Sequence, residues 1–390
     1  MNQAVPPVIA SVPGQDQATL FLAGATERPH HAYLLTGPEG SGKRLGMRAF
    51  AAALLCADGG CGSCRSCRLA LGERHPNMLV LEPTGPDILV GRDASDFNTA
   101  RWLAGRAHLT APEPGRKLMV VIQADRLRIE AADVLLKVLE EPPPDTIFLL
   151  LSARPDEIPD TVRSRCQEVA FPPLTEEFAV GTLVGEGIPE DRARLACRLA
   201  GGNLGRARRL ARDEGGLGFR DHVLDAARRA QDGPAGALAA AEAMASAAKE
   251  FKAGLGSELE AELEPMLDER GKPDEAFRGV IRRMQDAHDR RVRRAEREFY
   301  DWSLLALATF FRDASLLAAG GDEELVINLD LREELARQGW SAGDGARALA
   351  HVEEARADLA DETNLNPRLI LERLFLRLSS LGAARTASVQ

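Results

Sequence analysis

The sequence predicts an α/β domain built on a parallel sheet, followed by helical regions, and three observations carry that prediction. Four short apolar runs, HAYLLTG (31–37), NMLVLEP (77–83), RKLMVVIQ (116–123) and TIFLLLSA (146–153), alternate with helical patterns, as strands buried on both faces of a parallel sheet do. The first run leads straight into GPEGSGKR, Gly37 to Arg44, which has the form of a strand-to-helix phosphate loop. Beyond residue 215 the chain is rich in Ala, Leu, Arg and Glu at helical spacing with few β-branched residues, the pattern of an all-helical domain.

With 390 residues the chain is long for one ordinary core and suggests two or three domains, and 45% hydrophobic with 28% charged residues places it among soluble globular proteins. The net charge of −10 argues against adhesion to nucleic acid by bulk charge, so any such contact needs a local basic face or a partner. The opening MNQAVPPVIASVPGQDQ lacks a basic segment followed by an apolar one, and no apolar run approaches membrane-spanning length. A cytoplasmic location without membrane contact is the expectation.

The loop matches G-x-x-x-x-G-K-[ST] at every constrained position but the last. Gly37, Gly40 and Gly42 let backbone N–H groups turn toward phosphate, and Lys43 can reach its outer oxygens. Arg44 stands where a hydroxyl would hold Mg²⁺, and a guanidinium offers that ion neither an oxygen nor a negative charge. Mg²⁺ is therefore not expected, and ATP binding is left open. A second anchor would be the acidic end of the strand in KLMVVIQADRL. If Ile122 and Gln123 occupy the acidic positions, the metal carboxylate and the water-activating glutamate are both gone; if Asp125 is the ligand, the strand is merely longer. A glycine-rich turn without any ligand would show much the same letters.

CADGGCGSCRSC places four of the six cysteines at Cys56, Cys61, Cys64 and Cys67. C-x₂-C turns aim two sulfurs at one centre, and four thiolates satisfy a closed tetrahedral zinc site of the structural kind. No position is left for a metal-bound water, so the metal is expected to stabilise and not to catalyse. Four cysteines also hold iron–sulfur clusters, but the small polar loop favours zinc. Cys166 and Cys197 read as ordinary buried thiols.

In IEAADVLLKVLEEPPP, Val134, Leu135, Val138 and Leu139 make one apolar helix face, and Pro142 ends the helix. Domain boundaries are expected near Pro173 and near Gly215, with a disordered tail AARTASVQ. Arg283, Arg290, Arg294 and Arg297 fall on roughly one helical stripe with Asp286, Asp289 and Glu296 interleaved, which fits a self-paired face or a subunit contact better than a DNA site.

Taken together, HAYLLTGPEGSGK, the cysteine knuckle just after the loop helix, LLKVLEEPP and SRC resemble the clamp-loader subunits of bacterial DNA polymerase III, the delta-prime subunits first and the gamma/tau subunits second. The likeness covers roughly residues 10–215; the remainder matches only in helical character. It implies an AAA+ phosphate-loop module with zinc knuckle (1–172, knuckle 56–67), a small helical lid (173–214) bearing a sensor region around Arg206, and a helical collar (215–390) that holds subunits in a ring. Counting back from Lys137, the family's acidic stretch falls on Ile122 and Gln123, with Asp125 as its fourth position, which favours the reading without acidic groups. Arg165 of SRC would then point at a neighbouring subunit's ATP. A non-hydrolysing subunit acting in trans, with gamma/tau and delta subunits, the sliding clamp and primed DNA as partners, is what the resemblance implies. An active gamma/tau-like ATPase is its enzyme rival, and a zinc-knuckle nucleic-acid-binding module is the less favoured one.

Overall fold

The computed structural model describes the backbone of residues 5–83, 85, 87–212, 218–263, 278–337, 339–360 and 366–388. Backbone contacts gather it into two compact units, Met1–Thr182 with Gly202–Arg206, and Leu183–Gly201 with Ala207–Gln390.

The first unit holds five parallel strands, β1 (Ala32–Thr36), β2 (Met78–Leu81), β3 (Lys117–Val121), β4 (Thr146–Ser152) and β5 (Gln167–Ala170), in the order β2-β3-β4-β1-β5. The four apolar runs are the first four strands. β5 has one buried side chain, Val169, in the row QEVA, and so leaves no apolar run to read. Helices α1 (Pro7–Ala10), α2 (Asp16–Gly24), α3 (Lys43–Leu55), α4 (Arg65–Leu71), α5 (Ala100–Ala107), α6 (Ile129–Glu140) and α7 (Asp160–Arg163) cover the sheet. Strand residues alternate between the two faces: Tyr33, Leu35, Leu118, Val120, Leu149 and Leu151 share a core with Phe50 and Met47 of α3, and Leu34, Met119, Val121, Phe148 and Leu150 share the other with Leu103 of α5 and Leu135 and Leu139 of α6. A sheet buried on both faces explains why its strands read as continuous apolar runs. α6 ends at Glu140, two residues before Pro142, as expected.

Next come α8 (Glu176–Gly185), α9 (Glu190–Ala200), α10 (Leu204–Arg212), α11 (Gly218–Ala230), α12 (Pro234–Leu263), α13 (Arg278–Ala318), α14 (Arg332–Arg337), α15 (Ala342–Ala360) and α16 (Pro367–Ser388). Val223, Leu224, Phe299, Leu304, Leu307, Phe311, Val352, Leu371 and Phe375 form one core in the second unit. Inside that unit Asp313 is fully buried and its carboxylate accepts from the N–H of Ile327 (3.0 Å) and Asn328 (2.8 Å) and from Asn328 Nδ2 (2.7 Å). Asn328 Oδ1 in turn accepts from buried Arg220. A buried charge persists only when bonded in this way.

The tail departs from expectation, since α16 runs on to Ser388 in a stretch whose Ala and Leu content favours helix. The boundary near Gly215 lies outside the described residues, as do the arginine side chains at 283, 290, 294 and 297; the backbone at those four arginines is α13. No helix among the described residues is long and apolar enough to cross a membrane.

Candidate functional site

The phosphate loop leaves β1 at Thr36 and enters α3 at Lys43. Its glycines are required twice over. Gly37 has φ +139° and a Cβ there would lie 2.0 Å from the Phe171 carbonyl oxygen; Gly40 has φ +80° and a Cβ would lie 2.1 Å from the Asn203 side chain. Asn203 also caps α10, its Oδ1 accepting from the Arg206 N–H at 2.9 Å, so the asparagine that lies against Gly40 also opens α10. Arg206 lies in the first turn of α10 and is half-buried. Gln15 ties the loop from below, Nε2 donating to the carbonyls of Ser41 (2.7 Å) and Pro172 (2.8 Å). Gln15 Oε1 and Ser41 Oγ, both buried, find no partner among the described residues.

The two loop cations are occupied within the chain. Lys43 is buried and folds back, Nζ donating to the carbonyls of Gly37 (2.5 Å) and Pro38 (2.7 Å); burial lowers its pKa, while Glu39 and Asp125 work the other way. Arg44 forks onto Glu73 through Nε and Nη2 at 2.6 Å each, and reaches Glu82 at 3.2 and 3.3 Å. Arg48 joins from the next turn, Nε to Glu73 Oε1 at 2.7 Å. Burial pushes the Glu73 carboxyl up, but the hydrogen bonds and charge of Arg44 and then of Arg48 outweigh it and hold the pKa below the usual range.

At the tip of β3 stand Ile122, Gln123 and Asp125. Ile122 is buried and extends the ladder, its N–H donating to the Leu81 carbonyl; Gln123 turns left-handed at φ +54°, and Asp125 sits in a 3₁₀ turn. Asp125 accepts from Ser152 Oγ (2.7 Å), the Ala153 N–H (3.3 Å) and Arg154 Nη2 (3.3 Å), so its carboxylate pins the turn to the end of β4. Mg²⁺ does not fit these donors: position 44 is cationic, Ile122 is apolar, and Asp125 is engaged. A cavity of about 350 Å³ lies at the opposite end of the sheet, lined among others by Lys117 at the head of β3 and Asp145 ahead of β4, and the loop takes no part in it.

Arg165 follows α7. Its Nη2 bonds Glu140 at the end of α6 (2.5 Å) and its Nη1 donates to the Thr161 carbonyl (2.6 Å), with a third of the side chain in solvent. Cys166 beside it packs against the core and burial pushes its thiol up to about 12; Cys197 is buried.

The cysteines converge as their spacing requires. Cys56 closes α3, Cys64 caps α4 by accepting from the Cys67 N–H, and Cys67 lies in the first turn of α4. Cys56 Sγ is 3.8 Å from that of Cys61 and 3.7 Å from that of Cys64, Cys61 is 4.0 Å from Cys67, and all four sulfurs lie within 4.8 Å of one another. A tetrahedral ion with bonds of about 2.3 Å holds its sulfurs about 3.8 Å apart, so this set can hold a metal ion. Backbone hydrogen bonds from Ser63 and Cys64 draw the Cys61 thiol down to about 6, while burial pushes that of Cys67 up; a bound cation would favour the thiolate at all four. Gly59, Gly60 and Gly62, all at positive φ, make the turns between them.

Glu73, Glu82, Gln15 and Asn203 went unnoticed in the sequence. Only Asn203, between a glycine pair and a helix start, carried a local signal, that of an N-cap.

Fold and site together define a phosphate-loop α/β module that carries a four-cysteine knuckle and spends its loop cations internally. A family model described as "DNA polymerase III, delta subunit" matches residues 17–175. The chain is 36% identical to the DNA polymerase III subunit delta' of Pseudomonas aeruginosa over 201 residues, 50% of this chain and 60% of that protein, and 34% identical to that of Escherichia coli over 185 residues, 46% and 54%. It is 29% identical to the gamma/tau subunit of Mycobacterium tuberculosis over 351 residues, 81% of this chain and 57% of that protein. The chain thus spans little more than half the length of these relatives. Among solved structures, a gamma subunit-related protein from Thermotoga maritima aligns over 94% of this chain and all of its own at 17% identity and a TM-score of 0.44.

Proposed function

We propose that this chain is a delta-prime-like subunit of a bacterial DNA polymerase III clamp loader, a partner that hydrolyses no ATP itself and supplies Arg165 to a neighbour's ATP site. In this reading residues 1–172 are an AAA+ module, 173–214 a lid and 215–390 a collar that joins gamma/tau and delta subunits in a ring, which places a sliding clamp on primed DNA in the cytoplasm. Cys56, Cys61, Cys64 and Cys67 hold a structural zinc ion; a cluster of several irons would spread the sulfurs further apart than they stand. Gly37, Gly40, Gly42, Lys43 and Arg206 are the remains of a nucleotide site.

The observation that carries the non-hydrolysing half is the Arg44–Glu73 fork. Phosphoryl transfer to water needs metal, an oriented water and charge neutralisation together. Arg44 stands where the metal needs an oxygen, and both loop cations are paired elsewhere. A second reading, an active gamma/tau-like ATPase, is favoured by the longer reach of the gamma/tau similarity along the chain.

One experiment separates the two. The purified chain is expected to show no ATP turnover above background with Mg²⁺, and to co-purify with gamma/tau and delta subunits when co-expressed. A magnesium-dependent turnover abolished by Lys43→Ala would overturn the first reading in favour of the second.

A further inference from the structure

Helices α3 and α4 form a pair fastened at both ends. At one end stand the four cysteines, with Cys56 closing α3 and Cys64 and Cys67 opening α4. At the other, Glu73, two residues past the end of α4, reaches the first two turns of α3 through Arg44 and Arg48. α4 is seven residues long, about 10 Å at ~1.5 Å per residue, too short to bend, so the position of one end fixes that of the other.

Glu73 is an unusual residue for its place. It follows the Gly72 cap at φ +55°, the left-handed position that commonly falls to glycine at a helix end. The Glu73 N–H donates to the Ala70 carbonyl, and the Arg74 N–H to that of Leu69 at 2.8 Å, so the helix end is properly closed around it. A carboxylate in this strained position is compensated by three short charged bonds from α3, with only 11% of its side chain exposed.

We propose that Glu73 couples the metal centre to the phosphate-loop helix: the ion held by the four cysteines fixes α4, and α4 presents Glu73 to Arg44 and Arg48. Arg44 is thereby kept from any anion at the loop. The proposal rests on the zinc reading above. Glu82 supplies the internal control, because it pairs with the same Arg44 from the end of β2 and has no part in α4.

Coupling between two sites is reciprocal, so weakening the Glu73 end must loosen the metal at the other. The full chain, loaded with zinc, is brought to equilibrium with graded concentrations of a chromophoric pyridylazo-resorcinol chelator, and its zinc affinity is read from the partition of the metal. Glu73→Gln is expected to bind zinc about 5-fold more weakly or more, the low end of coupling between linked sites. Arg48→Met, which removes one of the three bonds, is expected to move the affinity the same way by less, and Glu82→Gln to match the parent. Parent-like affinity in both Glu73→Gln and Arg48→Met overturns the coupling. Equal weakening by Glu82→Gln also overturns it, because the effect is then general loosening. A parent that takes up no zinc would defeat the metal reading itself, an outcome distinct from either.

Discussion

Arg44 has two acidic partners, Glu73 and Glu82, 29 and 38 residues along the chain. That separation is why the loop's departure from its pattern was legible while its consequence was not: a missing hydroxyl shows in eight letters, but the carboxylates that take up the arginine are brought there by α4 and β2. Lys43 tells the same story in shorter range, since nothing in GPEGSGKR says that its ammonium will close back on Gly37 and Pro38. Cys166 read as an ordinary buried thiol, and its surroundings yield a direct prediction. A thiol whose pKa rises on folding stays protonated until the pH nears the raised value, here about 12, where an unfolded cysteine ionises near 9. Cys166 is half-buried, and iodoacetamide at pH 8 should therefore alkylate it markedly more slowly in the folded chain than in urea, with mass spectrometry of the peptide as the readout. Modification at equal rates in both states would contradict the packing described for it.

Elements were legible to the extent that their signal was local. The four apolar runs became strands because a parallel sheet covered on both faces needs apolar side chains on both, whereas β5, at the sheet edge with three exposed residues of four, carries no such mark. The convergence of the four cysteines was legible, because in so short a loop spacing is geometry. In the zinc reading proposed above, Cys64→Ser removes one thiolate while its hydroxyl can still cap α4, so the variant should lose its zinc and melt lower. A loss of about 2 kcal/mol corresponds to roughly 4–8 °C in a unit of this size. Elemental analysis paired with thermal unfolding checks it, and equal melting temperatures for variant and parent would show that the four sulfurs come together without a metal to hold them. The end of β3 was legible only as a choice between two registers. In the structure Asp125 accepts from Ser152 and Ala153 and so braces the turn after β3 against the end of β4.

The whole molecule divides unevenly in what its sequence reveals. The first unit carries the loop, the knuckle and the matched family region, while the second is a helical core whose composition says helix and little else. The buried Arg220–Asn328–Asp313 chain that organises the second unit spans more than a hundred residues from Arg220 to Asn328, and no local pattern announces it. In the function proposed above, a subunit that hydrolyses no ATP serves the assembly through what it offers a neighbour, and Arg165 is the group proposed for that task. Its partner Glu140 is itself partly exposed, and an ion pair of that kind is weak, which suits the proposed role. Arginine fingers contribute roughly 10³ to 10⁵ in rate in other phosphoryl-transfer systems, a loss that several sites in one ring would dilute. The most direct measurement is the clamp- and DNA-stimulated ATPase of a reconstituted loader carrying Arg165→Ala, read beside its zinc content and its assembly by gel filtration. The account predicts an intact ring with full zinc and a stimulated rate several-fold lower; an intact ring that turns over ATP and loads clamps at the parent rate would contradict it.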